Sequence, residues 1–138
     1  KWSRFHADWS ADGGFAAMTN WLGIFGRRSL PGFVVAAQND DMACGARKAL
    51  LEWLRSGRSL AEDPRIIGCD GVPSFGHRLV TEGQLTATVV VPSVANRAIE
   101  ELTAARANRR APEAHVVVEV ESLPSVEALI GKLVRRAP

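Results

Sequence analysis

Residues 33–46, FVVAAQNDDMACGA, decide the fold. Phe33, Val34, Val35, Ala36 and Ala37 form an unbroken apolar run, the pattern of a short strand covered on both faces. Gln38 and Asn39 follow at its carboxyl end. Asp40 or Asp41 stands where the next helix needs a cap, since a carboxylate accepts free backbone N–H groups and suits the positive end of the helix dipole. In open α/β sheets, ligands bind just beyond the carboxyl ends of the strands, so Asn39 is the first side chain expected to touch one.

Upstream, residues 1–7 (KWSRFHA) alternate roughly and predict a strand with Trp2 and Phe5 as its apolar members. Ser10 or Asp12 caps a helix whose stripe is Phe15, Met18, Trp21, Leu22 and Phe25. Residues 26–32 then form a loop. Downstream, a helix is expected over about 41–55, with Met42, Ala46, Ala49, Leu50, Trp53 and Leu54 on its buried side. Residues 66–69 (IIGC) read as a second buried strand ending in Asp70 and Gly71. A short helix over 73–82 stops at Gly83. Residues 85–91 (LTATVVV) form a further strand, followed by a helix over 93–107. Residues 115–120 predict another strand, and Pro124 and Ser125 open a last helix with Val126, Leu129, Ile130 and Leu133 on one face. Strands of 4–8 residues alternating with helices predict an α/β fold with a parallel sheet and helices on both faces.

The 138 residues suffice for one ordinary domain. A composition of 46% hydrophobic and 23% charged residues excludes a disordered chain. The net charge of +2 is too small for a nucleic-acid partner. The basic pairs Arg27 with Arg28, Arg109 with Arg110 and Arg135 with Arg136 read as solvated helix ends. No apolar run approaches a membrane span. Cys44 and Cys69 lack metal spacing and read as small buried thiols, with a pairing between them left open. Gly13 and Gly14 lack the strand-and-helix context of a phosphate loop, and no cofactor is expected. His6, His77 and His115 lie far apart. His77 and His115 read as surface residues, and no Ser-His-Asp or Cys-His arrangement is available. A metal reading would use Asp40, Asp41 and Asp70, but no further ligand is evident and no metal is expected.

Right-handed crossovers put all strand carboxyl ends on one edge. Trp9, Asn39, Asp70 and Val91 then share that edge. An indole face suits the C–H surface of a sugar. An amide donates and accepts, and a carboxylate accepts hydroxyl donors with charge-assisted strength. Together Trp9, Asn39 and Asp70 suit a neutral polyhydroxylated ligand, with Gln38 and Val91 as secondary candidates. On pattern alone each has a plainer reading: Trp9 as a core or rim tryptophan, Asn39 as a turn residue, and Asp70 as a turn signal with Gly71.

Three motifs in series carry a resemblance. They are ADWS (7–10) with AAMTNWL (16–22), VVAAQNDDMACGARKAL (34–50), and RIIGCDGVPSFGHRLVTEGQLTATVVVP (65–92). The series resembles the periplasmic sugar-binding proteins of ABC importers. More narrowly, it resembles the ribose- and galactose-binding group, which shares the type I periplasmic-binding-protein fold with lactose-repressor-type regulators. The resemblance implies a non-enzymatic protein that binds a sugar between two lobes. Trp9 would stack on the sugar, and Asn39 and Asp70 would hydrogen-bond it. The family often carries Gln where this chain has Val91, which neither donates nor accepts. It implies a membrane permease as partner and a periplasmic or extracellular, membrane-associated location. The alternative is the effector-binding domain of a regulator. It also implies a partial fold: residues 1–91 as second-lobe core lacking its first strand and helix, and residues 92–138 returning to the first lobe and crossing back. The crossings would fall near residues 91–92 and 120–123. Apolar faces left uncovered would favour self-association, with elements exchanged or rearranged.

Overall fold

A computed structural model describes residues 2–26 and 32–134. Its elements are α1 (Ala11–Phe25), β1 (Val34–Ala36), α2 (Asp40–Arg55), β2 (Arg65–Asp70), α3 (Gly76–Thr81), β3 (Ala87–Val90), α4 (Val94–Ala107), β4 (Glu121–Leu123) and α5 (Val126–Val134). The strands form one sheet in the order β1-β2-β3-β4. β1, β2 and β3 are parallel, with Val35 opposite Ile66 and Gly68 opposite Thr88. The α/β class expected from the sequence is therefore present. The Arg27–Arg28 and Arg135–Arg136 pairs, most of the 26–32 loop and the side chain of Leu133 lie outside the described residues.

Each helix starts where the sequence places a cap or a turn. Ser10 Oγ accepts from the Gly13 amide at 2.9 Å and opens α1. Ser93 Oγ accepts from the Asn96 amide at 3.3 Å and opens α4. Gly83, at φ +70°, takes the left-handed conformation that ends the α3 turn.

The hydrophobic core joins α1 (Met18, Leu22), α2 (Ala43, Ala46, Ala49, Leu50), β2 (Ile66), α3 (Leu79) and Leu85. Phe15, Trp21, Phe33, Val35, Trp53 and Phe75 pack around it. α1 and α2 approach closely enough that a Cβ on Gly14 would meet the Met42 backbone. A Cβ on Gly45 would meet the backbone of Ala11 and Phe15. Among the described residues, no helix is long and apolar enough to cross a membrane. Cys44 and Cys69 are free and half-buried.

Four expectations change. Residues 2–7 form no strand, and Trp2 is 84% exposed. With only two apolar side chains among polar ones, this segment has no face to bury. Residues 115–120 also form no strand. β3 has only four residues, and its second edge is taken by Glu121–Leu123 instead. That last strand runs antiparallel, with Val90 opposite Glu121, so the sheet is mixed rather than wholly parallel. Finally, β1 is not covered on both faces, because Val34 is 59% exposed while Val35 packs on the core.

α4 stands largely clear of this core. Val94, Ile99 and Leu102 are exposed, and among its residues only Glu101 and Ala105 are buried. Its C-terminal turn is held by Arg110, which donates to both Glu101 oxygens at 2.7 and 3.1 Å, and by the Glu113 amide at 2.9 Å. These bonds lower the Glu101 carboxyl to a pKa of about 2.

Candidate functional site

The carboxyl ends of β1, β2 and β3 are joined by hydrogen bonds that run from Trp9 to Val91. Asn39 Nδ2 donates to the Trp9 carbonyl at 2.8 Å. Asn39 Oδ1 accepts from the Met42 amide at 2.8 Å, which makes Asn39 the N-cap of α2. The next residue, Asp40, reaches the β2 turn, where its Oδ2 accepts from the Gly71 amide at 3.0 Å. The Val91 amide donates to the Asp70 carbonyl at 3.1 Å. Trp9, Asn39, Asp70 and Val91 are thus gathered at one sheet edge, in the order expected from right-handed crossovers.

The backbone at this edge is unusual. Trp9 and Asp70 are non-glycine residues with φ of 67° and 96°, and Gly71 has φ 60°. A side chain held at positive φ stores strain and persists only where its surroundings fix it. At Trp9 one set of fixing contacts is local and one is distant in sequence. Asp8 accepts from the Ser10 amide and hydroxyl, which lowers its pKa, while Asn39 holds the Trp9 carbonyl. Trp9 is 61% exposed. At Asp70 the fixing contacts are the bond from the Gly71 amide to Asp40 and the bond from the Val91 amide to the Asp70 carbonyl.

Asp40 and Asp41 depart from the sequence reading, which made them caps. Asn39 does the capping, because its extended backbone (φ −149°, ψ 169°) aims the side-chain oxygen back at the first turn. Asp40 sits one position on, inside the helix, and is only 2% exposed. Its Oδ1 accepts from the Thr88 hydroxyl at 2.7 Å. Its carboxylate lies against Gly68 and Gly76, where any Cβ would collide with it. Both oxygens are therefore engaged by protein donors, away from the exposed edge. The sequence signal that could have revealed this is the trio of glycines at 68, 71 and 76, facing an acid that need not be a cap.

Asp70 is exposed, with Gly71, Val72, Val91 and Ser93 beside it along an open recess. Partial desolvation raises its pKa, and the nearby Asp40 and Asp41 charges add to the shift. Such a raised carboxyl opposes folding slightly above its own pKa, and that opposition is relieved as pH falls through the window down to the unfolded value. Gln38 is exposed at the end of β1, and Val91 is 41% exposed. His6 and His115 are exposed. His77, expected at the surface, is half-buried, and its Nε2 is buried without a hydrogen-bond partner. The His77 backbone amide donates to the Val72 carbonyl at 3.3 Å, tying the start of α3 to the 72–75 turn.

No family model and no curated protein sequence matches the chain. Solved structures do. A galactofuranose binding protein superimposes with a TM-score of 0.65 at 22% identity, covering 91% of this chain and 41% of that one. The periplasmic component of the arabinose ABC transporter from Shewanella sp. ANA-3, bound to α- and β-L-arabinofuranose, gives 0.66 at 21% identity, covering 94% and 41%. A LacI family transcriptional regulator from Arthrobacter sp. FB24, in complex with lactose, gives 0.61 at 30% identity, covering 83% and 39%. The chain spans about two-fifths of the length of each of these structures.

Proposed function

We propose that this chain, which carries part of the type I periplasmic-binding-protein fold, supplies one wall of a sugar-binding cleft and catalyses no reaction. The observation that carries the reading is the hydrogen-bonded edge itself. An exposed tryptophan, an amide and an exposed carboxylate lie along that edge at Trp9, Asn39 and Asp70, two of them at positive φ. In this reading Trp9 stacks on the C–H face of the sugar. Asn39, with a second N–H and a second lone pair still free, and Asp70 hydrogen-bond its hydroxyls. Gln38 is a secondary contact, and Val91 presents an apolar corner. Residues 1–91 are second-lobe core and residues 92–138 include the returning segment. The antiparallel pairing of β3 with β4 supports this division, because it sets the two expected crossings next to each other.

The importer form of this reading has the sugar delivered to an ABC-type membrane permease from the periplasm. The regulator form is favoured by one observation, the 30% identity to a LacI family protein. Sequence preceding Lys1 in the coding frame separates them: a helix-turn-helix supports the regulator, a secretory signal the importer.

Calorimetric titration of the full-length protein with L-arabinose, D-galactose, D-fructose and lactose tests the site. Loss of a charge-assisted hydrogen bond predicts that Asp70→Ala weakens binding about 10- to 100-fold. Wild-type affinity should also fall with acidification, starting above the pH at which an ordinary aspartate would protonate. Unchanged affinity in Asp70→Ala would remove Asp70 from the site. The 138-residue chain alone should bind these sugars weakly, since one side of the ligand stays in water.

The uncovered apolar surface fits the same reading. A folded monomer of 14.9 kDa exposes about 7,000 Å², whereas this chain exposes 10036 Å². Part of that excess is the open face of α4, where Val94, Ile99 and Leu102 are exposed. Studied in isolation, the chain should pair with a second copy through α4. Sedimentation that shows a monomer at all concentrations would contradict this.

A further inference from the structure

We infer that Asp40 is the positioning residue of this edge: its buried carboxylate locks the left-handed turn at Asp70 and Gly71 and thereby aims the Asp70 carboxylate. The inference rests on the reading of Asp70 as a sugar contact but adds a residue that itself touches no ligand. Three observations carry it. Asp40 joins three elements, α2 by its backbone, the β2 turn through Gly71 and β3 through Thr88. It is enclosed, with glycines at 68 and 76 where side chains would displace it. The turn it holds contains two consecutive positive φ values, 96° at Asp70 and 60° at Gly71, a geometry that a non-glycine residue adopts at a cost.

Thr88 is the second part of the device. It is fully buried, and its hydroxyl donates to Asp40 at 2.7 Å. A valine there would keep the shape and the β propensity but leave Asp40 with one donor fewer. Partial desolvation is the main reason that the Asp70 pKa is raised, and the Asp40 and Asp41 carboxylates, both on α2, add to it.

Asp40→Asn separates charge from shape. The amide oxygen can accept from Gly71, and the amide nitrogen can donate to Thr88. The Thr88 hydroxyl can then turn to the Val89 carbonyl, 3.5 Å away. The experiment measures three quantities in the full-length protein for wild type, Asp40→Asn and Thr88→Val. They are the Asp70 carboxyl titration by NMR, the exchange rate of the Gly71 amide, and the affinity for the tightest-binding of the four sugars above. The inference expects Asp40→Asn to move the Asp70 midpoint down, toward an ordinary aspartate. It expects Thr88→Val to speed Gly71 exchange. Thr88→Val, which loosens the turn, should weaken sugar binding about tenfold, Asp40→Asn, which keeps the Gly71 bond, should leave the affinity close to wild type, and neither should weaken it in an Asp70→Ala background. An unmoved Asp70 midpoint together with unchanged Gly71 exchange overturns it. So does an affinity loss that persists in full once Asp70 is gone. If Asp70→Ala leaves affinity intact, the sugar-contact reading fails instead, and the NMR measurements still decide whether Asp40 holds the turn.

Discussion

Asp40→Ala is expected to lower the stability of the fold by about 2–4 kcal/mol, because it strips partners from buried donors that water does not reach. The Gly71 amide loses its acceptor outright, while the Thr88 hydroxyl has a poor fallback in the Val89 carbonyl at 3.5 Å. A void also opens between Gly68 and Gly76. Removing a charge from the interior gives some relief in the other direction. That relief is limited, because the carboxylate lies in the first turn of α2, where the helix dipole favours negative charge. The loss of bonded partners therefore outweighs it. Urea denaturation measures the difference. A midpoint equal to wild type would mean that the Asp40 bonds contribute nothing net. Domains of this size are stable by only about 5–15 kcal/mol, so the expected loss is a large share of the total.

Gly45→Ala is the second large effect, and its sign is the informative part. A glycine inside a helix costs about 0.5–1 kcal/mol relative to alanine, so propensity alone predicts stabilisation. At Gly45 the added Cβ would enter the backbone of Ala11 and Phe15, atoms that cannot turn aside as a side-chain tip can. α1 and α2 would have to separate, loosening Met18 and Leu22 from Ala46, Ala49 and Leu50. Overpacking of this kind costs about 1–3 kcal/mol, and with both partners in helical backbone the upper part of that range applies. The matched control is Gly23→Ala, on the same helix pair, where no atom stands within 4 Å of the new Cβ. It should stabilise the fold by up to about 1 kcal/mol. If both substitutions raise the thermal midpoint, the close crossing of α1 on α2 is not a constraint on stability.

The candidate site was more legible than its supports. Asn39, Asp70 and Val91 follow apolar strand runs, and Trp9 precedes a capped helix, so topology alone places them on one edge. Their partners are a different matter. Asn39 caps α2 and also holds the Trp9 carbonyl, two bonds spanning 3 and 30 residues. The second of these has no local signature. Asp40 looks like a cap because acids at helix starts usually are caps. A single residue of register decides whether its side chain turns back along the helix or into the sheet. The half-buried His77 ring was missed for a similar reason, since a six-residue helix has too short a period to show which side faces in.

Strand pairing shows the same division. The segment at 115–120 has strong β propensity, yet it stays unpaired with Val117 89% exposed, while the less apolar 121–123 pairs with β3. Propensity describes how well a residue suits a pleated surface, and a ladder also needs a free edge of matching length. β3 offers four residues, and one neighbour already occupies its other side.

By itself the sequence determined the alternation of strand and helix, the apolar faces of α1 and α2, and the edge on which Trp9, Asn39, Asp70 and Val91 meet. Those features follow from local periodicity and from the fixed hand of βαβ crossovers, which need no knowledge of distant contacts. Only the tertiary structure decided that Asn39 rather than Asp40 or Asp41 caps α2. It also decided that β4 runs antiparallel, and that Asp40 is buried against Gly71 and Thr88, partners 31 and 48 residues away. The physical reason is that a hydrogen bond between residues so far apart in the chain leaves no periodic trace. Its partners are chosen by which groups the packed core places within reach and shuts away from water.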